Sequence, residues 1–334
     1  MRRVALLLSM VLLSPVVGRG AETEITPFRA ISQRPLSAIY GVPAESSAQV
    51  APAGRTMVSF SQDIASEYTV ARTPNEQLTL DGESYRWVLA ARYGVTPRIE
   101  VGMELPYVLY GGGFLDGFIE GWHSTFGMPQ GGRDSAPRDR LNYSYSRNGV
   151  QKLRMDHAGS GIGDISLMAA FQLYEQQEAA GADRLALRMA VKLPSGDSNS
   201  LRGSGSTDVS LNLCGSMNSH TEWGELGVYG SLGGVAMTRG EVLADQQRRL
   251  AGFGMVGLGW GPAEWISFKV QVNGTTALYR NSSLAELTRD SLMLVGGGAL
   301  RFPGGYRLDI GVSEDISVGT APDVGLHLGL SKMF

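Results

Sequence analysis

Apolar and polar residues alternate with a period of two along most of the chain. In the clearest segment Ile99, Val101, Met103, Leu105, Tyr107 and Leu109 share one face, and Arg98, Glu100, Gly102 and Glu104 share the other. Just before it, Tyr85, Trp87, Leu89, Ala91 and Tyr93 alternate with Arg86, Val88, Ala90 and Arg92. The same rhythm returns with Arg188 and Lys192 set against Leu185, Leu187, Met189, Val191 and Leu193, and with Lys269 set against Phe268 and Val270. Alternation of this kind predicts strands with one apolar and one polar face. Twelve are expected, near 55–70, 77–93, 97–110, 160–174, 184–194, 207–219, 224–238, 249–260, 265–278, 290–302, 307–317 and 323–334.

The connections alternate in length. Short turns at 94–96, 220–222, 261–264 and 303–305 face longer stretches at 111–159, 195–206, 239–248 and 279–289. Tyr93, Tyr174, Trp223, Trp260, Trp265, Phe302, Tyr306 and Phe334 all fall at strand ends on the short-turn side. A girdle of aromatics there, with short turns on one side and long loops on the other, is the pattern of an outer-membrane barrel. In hydrocarbon every backbone N–H and C=O must be paired within the protein, so a strand-built spanning protein has to close on itself. The expected fold is therefore all-β: a closed antiparallel transmembrane β-barrel of about twelve strands, with short periplasmic turns and longer extracellular loops.

Composition sharpens this picture. The 334 residues are 43% apolar and include 45 glycines, about 13%, close to twice the ordinary share of ~7%. Glycines inside strands permit curvature and relieve crowding in a narrow lumen. Residues 1–20 carry Arg2 and Arg3, then the apolar run Val4 to Val17, then Gly18-Arg19-Gly20, which reads as a signal peptide. Its removal leaves 26 basic and 32 acidic residues, a formal charge of −6. No basic stripe marks a nucleic-acid partner, and the single cysteine, Cys214, excludes an internal disulfide.

The barrel phase points Arg86, Arg92, Arg98, Glu100, Glu104, Asp164, Arg188, Lys192, Lys269 and Arg301 into the lumen. Twelve strands lie between the side-chain-filled eight and the open sixteen of porins, so a narrow lumen is expected. Residues 21–54 lack alternation and contain several prolines, and they read either as a periplasmic tail or as a lumen plug with Phe28, Arg34, Leu36 and Tyr40 as its docking residues. In the long loop at 111–159, Phe114, Asp116, Phe118, Glu120, Trp122, His123 and Phe126 are mouth-loop candidates. Leu115, Phe118, Ile119, Trp122 and Phe126 fall at helical spacing, as in a short amphipathic helix lying on the outer leaflet, closing the mouth as a lid, or shielding the barrel rim. Asp116, Glu120 and His123 stand at i, i+4 and i+7, a spacing that suits a cation or an acid–base set, although polar residues on such a face are ordinarily just solvated. No catalytic residue, metal ligand or cofactor is assigned. His157, His220 and His327 are isolated in the sequence.

Phe334, closing an alternating strand, resembles the C-terminal signal by which the barrel-assembly machinery recognises outer-membrane barrels, with Lys332 where an aromatic is usual. The stretches TPFRAISQRPLSAIYGVP, LTLDGESYRW and IEVGMELPYVLYGGGFLDGFIEGWHSTFGMP resemble a Gram-negative outer-membrane β-barrel family classed as a domain of unknown function. More distantly, GIGDISLMAAFQLY and VKLPSGD are similar to outer-membrane channels associated with aromatic-compound degradation. The resemblance implies a barrel secreted to the periplasm and then inserted in the outer membrane, in contact with lipid and lipopolysaccharide. The leading expectation is a narrow channel for passive uptake of a small, hydrophobic molecule. Two alternatives stay open: a lipid-modifying enzyme with a loop-borne site, and a structural barrel with a filled lumen.

Overall fold

The structure, a computed structural model, describes residues 24–334 apart from 118–120, 122–123, 126–136, 179–180 and 318. The expected signal segment lies outside the described residues. Among the described residues fifteen strands follow in chain order: β1 (Thr56–Arg72), β2 (Glu76–Thr96), β3 (Ile99–Gly111), β4 (Asn142–Arg147), β5 (Val150–Met155), β6 (Gly159–Ile162), β7 (Ser166–Glu178), β8 (Gly181–Lys192), β9 (Asp208–Thr221), β10 (Gly224–Met237), β11 (Leu250–Ala263), β12 (Ile266–Thr275), β13 (Ser291–Phe302), β14 (Tyr306–Asp315) and β15 (Val324–Met333).

Twelve of them, β1 to β3 and β7 to β15, pair antiparallel with their neighbours in sequence order. The ring closes where β1 meets β15, from Met57 opposite Met333 to Ser66 opposite Val324. The last residue belongs to this seam, because Phe334 and Thr56 exchange both backbone hydrogen bonds, at 2.8 and 3.2 Å. Lys332 sits over the rings of Tyr306 and Phe334, 4.2 and 4.9 Å from their centroids.

The outward face is apolar yet uncovered by protein: Leu89 is 51% exposed, Leu258 55% and Val256 60%. A contiguous belt of this kind has only hydrocarbon to pack against. The expected aromatics ring the short-turn end, where Trp223, Trp260, Trp265 and Phe334 are all exposed. Among the described residues no helix is long and apolar enough to cross a membrane.

Three departures from the sequence reading have local causes. Residues 142–155 form strands rather than loop: the β4–β5 hairpin turns at Asn148 and Gly149, both at positive φ (50° and 75°), and β4 pairs with the upper end of β2. The hairpin thereby covers residues 76–81 of β2, which rise beyond the reach of the shorter β3. The strand expected at 160–174 is broken into β6 and β7, and the break faces Pro106, which has no N–H to offer the ladder. Only its carbonyl is used, accepting from Gly163 N at 2.9 Å. A bulge beside Leu173 then lets Leu173 and Tyr174 both face outward while Gln172 stays buried inside.

Candidate functional site: an occupied lumen

Residues 24–51 lie against the inner wall of the barrel, and 52–54 strap its short-turn end. They enter at the short-turn end, rise to the long-loop end, bend, and return to the end where they began. On the way up the segment runs extended beside β12 and is held at every second residue. Lys269 Nζ donates to Thr26 O at 3.1 Å, Asn273 Nδ2 donates to Ala30 O at 3.0 Å, and the Gln271 amide between them bonds both backbone groups of Phe28. Gln271 thus does what an adjacent strand would do, accepting the Phe28 N–H at 2.8 Å and donating to its carbonyl at 3.3 Å. Such pairing is required, since a buried peptide group left unbonded costs about 1–3 kcal/mol.

On the way down, Gln172 plays the same part on the opposite wall, accepting from Val50 N at 3.0 Å and donating to Ala48 O at 2.9 Å. Arg188 donates to the carbonyls of Ser47 and Gln49 (2.9 and 2.8 Å), and Glu100 accepts from Ala51 N at 2.7 Å. The exit is tight: a Cβ at Gly94 would overlap the carbonyl oxygens of Ala51 and Pro52.

The segment's candidate residues lie at different heights. Phe28 is fully buried low in the lumen, where Lys269 lies 3.8 Å from its ring centroid. Arg34, 1% exposed, pairs with Glu67 and donates to Gly319 O. Leu36 and Tyr40 are buried at the bend, within an apolar cluster that joins Ile39 to Tyr110, Tyr143, Val242, Leu278 and Tyr279 from the long-loop side. Tyr279 Oη donates to Leu36 O at 2.9 Å, and the Tyr40 and Tyr279 rings meet edge to face at 5.8 Å. A folded apolar core therefore closes the outer end of the barrel.

Most inward charges are paired. Glu100 faces both Arg92 (3.9 Å) and Arg188 (2.8 Å), Glu104 holds Arg29, and Asp309 holds Lys269 and Arg307. Lys192 sits between Asp164 and Asp208, and Asp208 also accepts from Gly41 N at 2.7 Å, tying the bend to the wall. Arg301 donates to Glu24 O and Glu264 O near the short-turn end. Arg86 points into the lumen beside Val88 in a cleft wall. Arg98 is a correction: it stands in the turn between β2 and β3 and is exposed, because alternation stops where the chain reverses.

Several lumen groups have no counterpart among the sequence candidates. Asp63 and His327 bond at 2.7 Å across the β1–β15 seam, so His327 is not isolated. Glu24 and Glu45 are buried on the segment itself, where Glu45 accepts from Ser231 Oγ at 2.7 Å. The available signal was phase, clearest at Gln271 between Val270 and Val272 and weaker at Asp63 and Asp208, each with an apolar neighbour on one side only.

At the mouth, the root of the loop is fixed by Glu83, which accepts from Phe114 N and Leu115 N at 2.9 and 2.5 Å. Phe114 is 67% exposed and stacks on Tyr85. Asp116 is not on a solvated face: it is buried and accepts from Asp139 N at 2.8 Å, where the loop returns. Positions 116–117, 121 and 124–125 are helical. Phe118, Glu120, Trp122, His123 and Phe126 lie outside the described residues.

Gln271→Leu tests the side-chain ladder. It strips both partners from Phe28, and at about 1–3 kcal/mol the segment loosens. Limited trypsin digestion is expected to cut after Arg29 several-fold faster in the variant; an unchanged rate would mean that Gln271 does not hold the segment.

Among solved structures, the chain is similar to an outer membrane channel from Pseudomonas putida F1, with 15% identity, a TM-score of 0.54, and coverage of 86% of this chain and 97% of that one. Weaker likenesses are to LpxR from Salmonella typhimurium (8% identity, TM-score 0.43, 83% and 100% covered) and to the toluene transporter TbuX from Ralstonia pickettii (12%, 0.37, 84% and 90%). The first shares the fold of a barrel in the Gram-negative outer membrane. A comparison with curated proteins returns no match. A family profile described as a protein of unknown function, DUF3187, matches residues 4–334.

Proposed function

The chain belongs to the DUF3187 family, and from that starting point we propose that this outer-membrane barrel is a plugged channel for passive uptake of a small, largely apolar molecule. The observation that carries the reading is a pair of clefts between the inserted segment and the barrel wall, the larger lined by segment residues 29–46 and the smaller by residues 30–45. Both clefts mix apolar side chains with a few polar ones, as a path for partly apolar solutes requires. The Pseudomonas putida protein of the same fold is described as an outer membrane channel, which supports the same reading.

The test is uptake of N-phenyl-1-naphthylamine, a dye that fluoresces on reaching an apolar phase, by cells with and without the protein. Lipopolysaccharide resists such dyes, so expression is expected to raise the initial rate several-fold. Equal rates would favour a second reading, a structural barrel with a permanently filled lumen, for which the many paired inward charges speak.

A further inference from the structure

Five basic side chains line the larger cleft against three carboxylates. Four of the five are held in place: Arg29 by Glu104, Arg188 by Glu100, Lys192 by Asp164 and Asp208, and Arg202 by Asp197. Arg86 is different. Among the described residues it has no ion-pair or hydrogen-bond partner. Asp63, its neighbour across the β1–β2 ladder, also lines the cleft and keeps its charge, but no ion pair or hydrogen bond joins the two side chains, and one Asp63 oxygen is bonded to His327 at 2.7 Å. Arg86 is thus the one cation of this lining whose N–H groups are uncommitted among the described residues.

Its position defines what would bind. Arg86 lies opposite Val108 of β3, which belongs to the apolar core closing the outer end of the lumen. Ile39, Val42, Val88 and Met168 line the same cleft. A guanidinium presents a planar fork of donors that matches a carboxylate in two parallel bonds. Low-dielectric walls strengthen that attraction. An apolar wall on one side and a single unpaired cation on the other describe an amphipathic anion.

We infer that the larger cleft is a binding site for a small organic monocarboxylate, with Arg86 gripping the carboxylate and the apolar wall receiving the body. The inference narrows the uptake reading to a solute class and rests on that reading for its physiological sense, while binding itself is measurable without transport. Because no protein group depends on Arg86, replacing it leaves the wall intact.

The experiment is equilibrium binding of benzoate, with hexanoate as a second carboxylate, to the full chain purified in detergent. Benzyl alcohol serves as the neutral counterpart and inorganic phosphate as a competing anion. The wild-type protein is expected to bind the carboxylates, and Arg86→Gln to weaken them by roughly ten-fold or more, the scale of a charge-assisted pair. Arg86→Lys, which keeps the charge but loses the fork, is expected to bind with an affinity between those of wild type and Arg86→Gln, and benzyl alcohol to be indifferent to both substitutions. Heat-modifiable gel mobility verifies that each variant is a folded barrel.

Equal carboxylate binding by wild type and Arg86→Gln, phosphate competing as well as benzoate, or no binding of either carboxylate to wild type would each overturn the inference. Dye uptake separates it from the broader proposal. Charge-dependent binding without uptake removes the channel and leaves the site, whereas uptake with charge-independent binding removes the site and leaves the channel.

Discussion

Deleting residues 24–50 is expected to turn a quiet barrel into a conducting one. The deletion removes the whole course of the segment through the lumen but keeps the stretch that straps the exit, where Ala53 bridges Gly94 and Gly54 N donates to Gly94 O at 2.8 Å. The twelve-stranded ring is joined strand to strand and closed between β1 and β15, so no ladder hydrogen bond is lost. What remains is a polar-lined bore between the filled eight-stranded and open sixteen-stranded cases, and current in a planar bilayer at fixed voltage should rise roughly ten-fold or more. A deletion variant that folds, as judged by heat-modifiable mobility, yet stays silent would show that the outer loops alone seal the barrel. It would also leave the filled-barrel reading standing.

The second large effect is expected at Glu100, which is 2% exposed. Its carboxylate faces Arg92 and Arg188 and also accepts the Ala51 N–H. Glu100→Ala leaves the buried Arg92 and the half-buried Arg188 without that countercharge, and removing one partner of a buried pair ordinarily costs about 3–5 kcal/mol. The urea midpoint of the folded barrel should fall accordingly. The same substitution frees the descending limb of the segment at Ala51, so brief conducting events are expected in a protein otherwise closed. Glu100→Gln keeps an acceptor for the Ala51 N–H but not the charge, and should restore closure better than stability. If neither stability nor closure changes, the Arg92–Glu100–Arg188 cluster is not what fixes this limb.

The barrel was legible in the sequence because its strands obey one rule, apolar outward and polar inward, repeated with little interruption. Ile99, Val101 and Met103 alternate with Glu100 and Glu104 so regularly that phase alone assigns their faces. Legibility failed where a local device overrides that rule. Asn148-Gly149 is a hairpin signal in its own right, but it was masked by the long loop around it. Pro106 interrupts β7's pairing from the neighbouring strand, which a reading of residues 160–174 alone does not reveal. Arg98 kept the phase of its strand on paper but sits where the chain turns.

The lumen was less legible for a different reason. Alternation says that Lys192 and Asp208 face inward, but not that both meet at the bend of a segment over a hundred residues earlier in the chain. Gln271 and Gln172 carry no charge and belong to no motif. Their role exists only because a piece of extended backbone lies beside each of them.

The inserted segment enters and leaves by the same end of the barrel, with its bend at the far end. Topologically it is a loop pushed into a cylinder, not a thread drawn through one. No chain end has to pass along the lumen to install or withdraw it, so the ring can close first and receive the loop afterwards. For the same reason a pull from the periplasmic side alone is enough, in principle, to draw the loop back the way it came, so any force that opens the barrel has to act on only one side of the membrane.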